Sequence, residues 1–193
     1  MENNILKAVE IVKKGGIIIF PTDTAFGIGC RIDNEVSIKK LFHLRHRPQS
    51  QATPVLVDTV KMAQAYLKPI PTKVIEQLIE PYWPGALTIV LPCIKEKVPS
   101  IVRGGGDSLG VRIPNHQLAR ALIRQVGVPI LGPSANFHGE KTPYTFEDID
   151  PQLASLVDCV LPGDTKGSKT STVIDCTSKA WKILRPGGVN VHL

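Results

Sequence analysis

The sequence predicts one α/β domain, residues 1–193, with a largely twisted sheet. Three observations carry that expectation. The chain has 193 residues, 42% hydrophobic and 21% charged, which is ordinary globular composition and enough length to bury a real core. Short apolar runs that stop at Pro, Gly or hydroxyl residues read as strands. Between them lie stretches whose apolar residues recur at helical spacing. Helices and strands mixed in this order argue for packed α/β layers.

The elements follow in chain order. Ile5, Leu6, Val9 and Val12 sit at helical spacing, and Gly15-Gly16 ends that helix. Ile17 to Phe20 is a buried strand that stops at Pro21 and delivers Thr22-Asp23-Thr24. Asn34 caps a helix that carries Val36, Leu41 and Phe42. A polar loop runs from Arg45 to Thr53, and Pro54-Val55-Leu56-Val57 is strand-like, with Asp58 or Thr59 as the cap of the next helix. A helix over 72–80 buries Val74, Ile75, Leu78 and Ile79. Tyr82-Trp83-Pro84-Gly85 is a turn before a strong strand, Ala86 to Leu91. A loop over 92–108 leads to a short strand, Gly110 to Ile113, and Asn115 caps a helix through Leu118, Ala121 and Leu122. Val128 to Leu131 is a strand opening into Gly132-Pro133-Ser134-Ala135-Asn136, and late strands are expected over 157–161, 172–176 and 180–184. No repeat or low-complexity segment interrupts this pattern.

Several function classes are disfavoured. No apolar run approaches a membrane span, and Met1 to Lys7 has no secretory or transit character, so a cytosolic protein without membrane contact is expected. Cys30, Cys93, Cys159 and Cys176 form no Cys-x-x-Cys, and His43, His46, His116, His138 and His192 show no ligand spacing; no metal site is predicted. The segment Gly163 to Thr170 imitates a phosphate loop with the wrong spacing, and a strand follows it where a helix N-terminus is needed. Gly104-Gly105-Gly106 has no buried strand before it and reads as a turn. Ser134 lacks a Gly-x-Ser-x-Gly elbow, and His138 stands too near to serve as its base. A covalent mechanism is not expected.

The formal net charge of +6 suits polyanions, either nucleic acid or nucleotide phosphates, although the basic residues are spread along the chain. A set of polar residues then remains at strand ends: Thr22, Asp23, Thr24, Arg112, Ser134, Asn136, Ser171 and Arg185. Any one alone is an ordinary capped strand end. Strand ends on one edge of an α/β sheet converge, so the set says more than its members. Arg45, Arg47, Arg112 and Arg185 add planar forks for carboxylate or phosphate oxygens. Together they describe a site for an anionic ligand without a metal cage.

Five segments in order carry a resemblance: Gly15 to Gly27, Arg45 to Pro48, Trp83 to Thr88, Gly110 to Pro114 and Gly132 to Asn136, completed by Ser171 to Asp175 and Leu184 to Gly187. The chain resembles the YrdC/TsaC family of threonylcarbamoyl-adenylate synthases. That resemblance implies a twisted, mostly open mixed sheet flanked by helices around a large positively charged cavity. It implies a nucleotidyltransferase that makes threonylcarbamoyl-AMP and pyrophosphate from ATP, L-threonine and bicarbonate, with Mg²⁺ carried on the triphosphate. A separate threonylcarbamoyl-transfer complex then modifies tRNA, and tRNA or double-stranded RNA contact comes with the same expectation. By matched position, Thr24, Arg112, Gly132 and Ser171 hold threonine. Arg45, Arg47, Ser108, Ser134, Asn136, Thr142 and Arg185 hold ATP, with Arg47, Ser134 and Asn136 nearest the chemistry. Asp23 takes a cap or supporting role.

Four departures from the family pattern stand out. Arg45 replaces the Lys of Lys-x-Arg, Phe26 replaces Tyr, His138 replaces a frequent Ser, and the 48–54 loop is longer, so Gln51 and Thr53 cannot both be matched. Two competing functions follow. One is a paralogue, or a module like that of HypF-type carbamoyltransferases, activating a different carbamate. The other is a non-catalytic RNA-binding module.

Overall fold

The computed structural model describes residues 2–191, so Met1 and His192 lie outside the described residues. Among the described residues nine strands form the framework: β1 Ile18–Phe20, β2 Gly27–Gly29, β3 Val55–Leu56, β4 Leu87–Pro92, β5 Ser108–Arg112, β6 Ile130–Leu131, β7 Cys159–Val160, β8 Thr172–Asp175 and β9 Lys182–Arg185. Six strands make one mixed sheet in the order β6-β3-β5-β4-β8-β9, and three make another, β2-β1-β7. Isolated antiparallel bridges join them, Gly27 to Ser134 and Arg31 to Ile130. Ile28 N–H also donates to Pro133 O, and Ala135 N–H to Phe26 O. The result is one open mixed sheet with an irregular seam between β2 and residues 130–135.

Helical segments flank it: α1 Glu2–Lys13, α2 Glu35–Leu44, α3 Val60–Gln64, α4 over 72–82 with a π-helical middle at Ile75–Ile79, α5 Gln117–Val126 and α6 Pro151–Ser155. Asn34 caps α2 by accepting from Ser37 N–H, as expected. Thr59, the second of the two candidates, caps α3. Asp58 instead lies buried beneath α5 and accepts from Arg120 and Arg124. The expected cap Asn115 is displaced by one residue: His116 Nδ1 accepts from Ala119 N–H, and α5 starts at Gln117. Gly127 ends that helix in the left-handed region, at φ +85°.

Two apolar clusters hold the layers together. The larger joins Ile17, Ile19, Phe26 and Ile28 to Leu87, Ile89 and Val111, with α2 contributing Ile38, Leu41 and Phe42. The smaller packs Ala8, Val9 and Val12 of α1 and Ala119, Leu122 and Ile123 of α5 against Ile18 and Phe20. Leu6 and Val36, predicted on core-facing stripes, are 52% and 78% exposed. Val36 lies on the side of α2 opposite the buried Ile38, Leu41 and Phe42, and Leu6 lies well off the buried Ala8, Val9 and Val12 of α1. The cysteines are free thiols. Burial pushes Cys30 and Cys176 up to about 12, with Asp33 and Asp175 adding to it, so these thiols are unreactive.

The seam has one tight point. A Cβ on Gly29 would strike the Leu131 carbonyl and the Ile130 side chain. Gly29→Ala is expected to destabilise by about 1–3 kcal/mol through overpacking against backbone. Urea unfolding should show a lower midpoint at unchanged slope; a wild-type midpoint would argue against so close an approach.

Candidate active site

The strand ends converge as the sheet topology requires. One recess is lined by Thr22 to Gly27 except Asp23, by Arg45 and Arg47 beyond α2, and by Pro54 and Leu56 of β3. Thr88 of β4, Arg112 of β5, Gly132 to Ser134 beyond β6, Thr170 and Ser171 before β8, and Arg185 of β9 complete it. It holds about 670 Å³, counting its open mouth. Four arginines and no carboxylate line it.

Arg112 organises one wall. Its Nε donates to Gly85 O at 2.8 Å, Nη1 to Thr24 Oγ1 at 2.8 Å and Nη2 to Asp23 Oδ1 at 2.5 Å. Arg112 is buried and Asp23 nearly so, with side-chain exposures of 6% and 9%. Desolvation lowers the Arg112 pKa; the Asp23 charge and hydrogen bond oppose that, and Arg185 reinforces it. Asp23 thus orients Arg112 and is not a free base.

The second wall holds Ser171, Thr88 and Arg185. Ser171 Oγ and Thr88 Oγ1 are 2.8 Å apart. Arg185 Nη2 donates to Ser171 O at 2.9 Å and to Ser171 Oγ at 3.2 Å. Desolvation lowers the Arg185 pKa, with Tyr144 opposing. Gly187 allows this contact, because a Cβ there would meet the backbone of Thr170 to Thr172.

The third wall comes from the 45–47 and 132–136 segments. Arg45 is 3% exposed. Its Nε donates to Asn136 O at 2.9 Å, Nη2 reaches Asn136 Oδ1 at 3.5 Å, and Nη1 has no partner. Desolvation, then the Arg47 charge, lowers its pKa to about 10, so it stays protonated at neutral pH. Ser134 Oγ donates to Asn136 Oδ1 at 2.5 Å, while Asn136 Nδ2 donates to Phe137 O and Glu140 O. Arg47 closes the loop after it, donating to Gln51 O at 3.3 Å and Ala52 O at 2.5 Å. Thr53 is buried with its hydroxyl unpartnered, and His138 is exposed while its N–H donates to Arg45 O.

Of the predicted residues, Thr24, Arg45, Arg47, Arg112, Gly132, Ser134, Ser171 and Arg185 line the recess. Asn136 stands behind Ser134 and Arg45 and faces another hollow. Ser108 begins β5 opposite Pro92, at the far end of the strand from Arg112, and neither it nor Thr142 lines the recess. The segment Gly163 to Thr170 lies against Thr24, with Gly167 in close backbone approach, and leads into β8 as expected. Thr22 and Thr88 line the site without having been assigned a ligand. The available signal for Thr88 was a buried-strand position occupied by a hydroxyl residue.

Among the described residues no carboxylate, histidine, cysteine or lysine lines this recess; guanidinium groups and hydroxyls do. Fold and site define an α/β protein built to hold and orient anionic groups. A Sua5/YciO/YrdC family model, described as "Telomere recombination", matches residues 10–187, and the chain belongs to that family. It is 34% identical over 189 residues to the threonylcarbamoyl-AMP synthase of Bacillus subtilis, covering 96% of this chain and 54% of that protein. The structure of Pyrococcus abyssi Sua5 complexed with L-threonine superposes with a TM-score of 0.92 at 33% identity, covering 97% of this chain and 55% of that one. Escherichia coli YciO superposes at 0.86 and 28% identity, covering 97% and 90%. The chain thus spans about half the length of the first two relatives.

Proposed function

We propose that this chain condenses ATP, L-threonine and bicarbonate into threonylcarbamoyl-AMP and pyrophosphate, the step that feeds threonylcarbamoyl transfer to tRNA by a separate complex. One observation carries the reading: four guanidinium groups and a ring of hydroxyls surround a recess lined by no cysteine, lysine or carboxylate nucleophile. The proposed reaction needs none. The threonine amine takes up the carbon of bicarbonate with loss of water, giving a carbamate. A carbamate oxygen then attacks the α-phosphorus of ATP and pyrophosphate leaves. The substrate supplies the nucleophile, and the protein supplies orientation and charge neutralisation.

Arg112 receives the amino-acid carboxylate, flanked by Thr24, Ser171 and the Gly132 backbone. Arg45, Arg47 and Arg185 receive phosphate oxygens. Ser134 serves them once its hydroxyl turns from Asn136, which positions both Ser134 and Arg45. The nucleoside end extends over the mouth, where Tyr144, Lys169, Thr170, Pro186 and Gly187 border a further hollow. The lining offers no carboxylate, so Mg²⁺ entering with ATP would be held by the phosphates and would lend charge neutralisation there. No helix among the described residues is long and apolar enough to cross a membrane.

The test is pyrophosphate release from ATP and Mg²⁺ by the pure protein. Release that requires both L-threonine and bicarbonate is expected. Release indifferent to threonine, or none, overturns the reading. Salt-sensitive RNA binding without turnover would identify the non-catalytic alternative instead.

A further inference from the structure

We propose that His46 is a positioning residue: its ring, stacked on Phe137, locks a left-handed turn that brings Arg45 and Arg47 to the same recess, a role that rests on the phosphate contacts proposed above for these arginines.

The two arginines stand two positions apart at the end of α2. In a continued helix their side chains would point about 200° apart around the axis, and only one could face the recess. Both line it. The turn that reconciles them is a Schellman closure. His46 N–H donates to His43 O at 2.9 Å, and Arg47 N–H donates to Phe42 O at 2.9 Å. Such a closure needs one residue in the left-handed region. Glycine usually takes that place, as Gly127 does after α5. Here it is His46, at φ +52°, the only non-glycine residue of positive φ among the described residues. A side chain in this conformation carries a steric cost that glycine avoids, so a further contact must hold it.

The His46 ring makes that contact. It lies over Phe137 with ring centroids 5.2 Å apart and planes 19° from parallel, an offset-stacked geometry. Phe137 directly follows Asn136, so the stack ties the turn after α2 to the segment that carries Ser134. Arg45 has other ties to that segment: its Nε donates to Asn136 O, and its carbonyl accepts from His138 N–H. Arg47 instead donates within its own loop, to Gln51 O and Ala52 O, and stands over Phe42 at 5.9 Å from the ring centre. Its placement relative to Ser134 therefore depends on the turn, and the turn on the stack. His46 itself lines the neighbouring hollow and not the recess. Thr24 and Arg112 stand on other elements, so the threonine end does not share this dependence.

The experiment is calorimetric titration of the full chain with inorganic tripolyphosphate, a probe of the phosphate wall, and with L-threonine. His46→Gly permits the left-handed turn but removes the ring. Phe137→Leu removes the stack from the other side and keeps the apolar bulk. Each should weaken tripolyphosphate binding about three- to tenfold, the worth of one aromatic pair, and leave threonine binding within about twofold. Combined, they should weaken it no more than the more severe single change, because both remove one contact. Phe137→Tyr keeps the stack and should bind as wild type does. Either loss variant suffices where the other does not fold. Wild-type tripolyphosphate affinity in the loss variants, or equal losses for both ligands, overturns the role of His46 and leaves the proposed function standing. A wild type that binds neither ligand overturns both.

Discussion

Arg45→Met is expected to raise the thermal midpoint of the ligand-free protein while removing most of its stabilisation by ATP. Arg45 is a buried cation with no carboxylate beside it; its partners are the Asn136 carbonyl and side chain, and Nη1 has none. Burial disfavours its charge, which is why its pKa falls to about 10. A buried charge in this condition costs stability unless something pairs with it. Methionine keeps the apolar stem and its packing without the charged head, and the loss of one hydrogen bond to Asn136 O, about 1 kcal/mol, is the smaller term. A net gain of about 1–3 kcal/mol corresponds to a rise of several degrees for a chain of this size. ATP binding should weaken at least about tenfold, because the lost contact is a charge-assisted one. Thermal melts with and without ATP read both effects at once. A midpoint that falls, with the ATP-induced shift intact, would mean that Arg45 serves the fold and not the ligand.

The same contrast explains what could be read in advance. Ile17 to Phe20 announced a buried strand because nothing polar interrupts it, and its end at Pro21 placed Thr22 to Thr24 at an edge. Arg112, Ser171 and Arg185 then met in one recess because the strand order brings β5, β4, β8 and β9 side by side, and Thr24 joins them from the end of β1 through its contact with Arg112. Partnerships were less accessible. The Thr88–Ser171 contact spans 83 residues, and β4 gives no local sign that Thr88, near its start, faces the recess. Asp23 stands at the same strand end as Thr24, yet only the position of Arg112 separates an ion-pair partner from a base. The missed cap has the same origin: Asn115 is the favoured type, but the chain enters α5 with His116 aimed at Ala119 N–H. Composition states what a residue can donate; packing decides to whom.

Arg112 is where that dependence should be most visible. Arg112→Ala is expected to raise the threonine requirement of pyrophosphate release by roughly 10–150-fold, the range of a lost hydrogen-bonded charge contact, and the ATP requirement by much less. It also strands the buried Asp23 carboxylate, a penalty of about 3–5 kcal/mol, or roughly 6–20 °C in thermal midpoint. The two losses have separate causes and can be separated. Asp23→Asn added to Arg112→Ala removes the stranded charge, so part of the thermal midpoint should return while the threonine requirement stays high. Residues in direct contact couple in this way, and the double-mutant cycle measures it. If both substrates' requirements rise together, Arg112 shapes the recess as a whole. If the double variant restores threonine use along with stability, Arg112 does no more than neutralise Asp23. Only a stability rescue without a substrate rescue fits a guanidinium that is held by Asp23 and aimed at the amino-acid carboxylate.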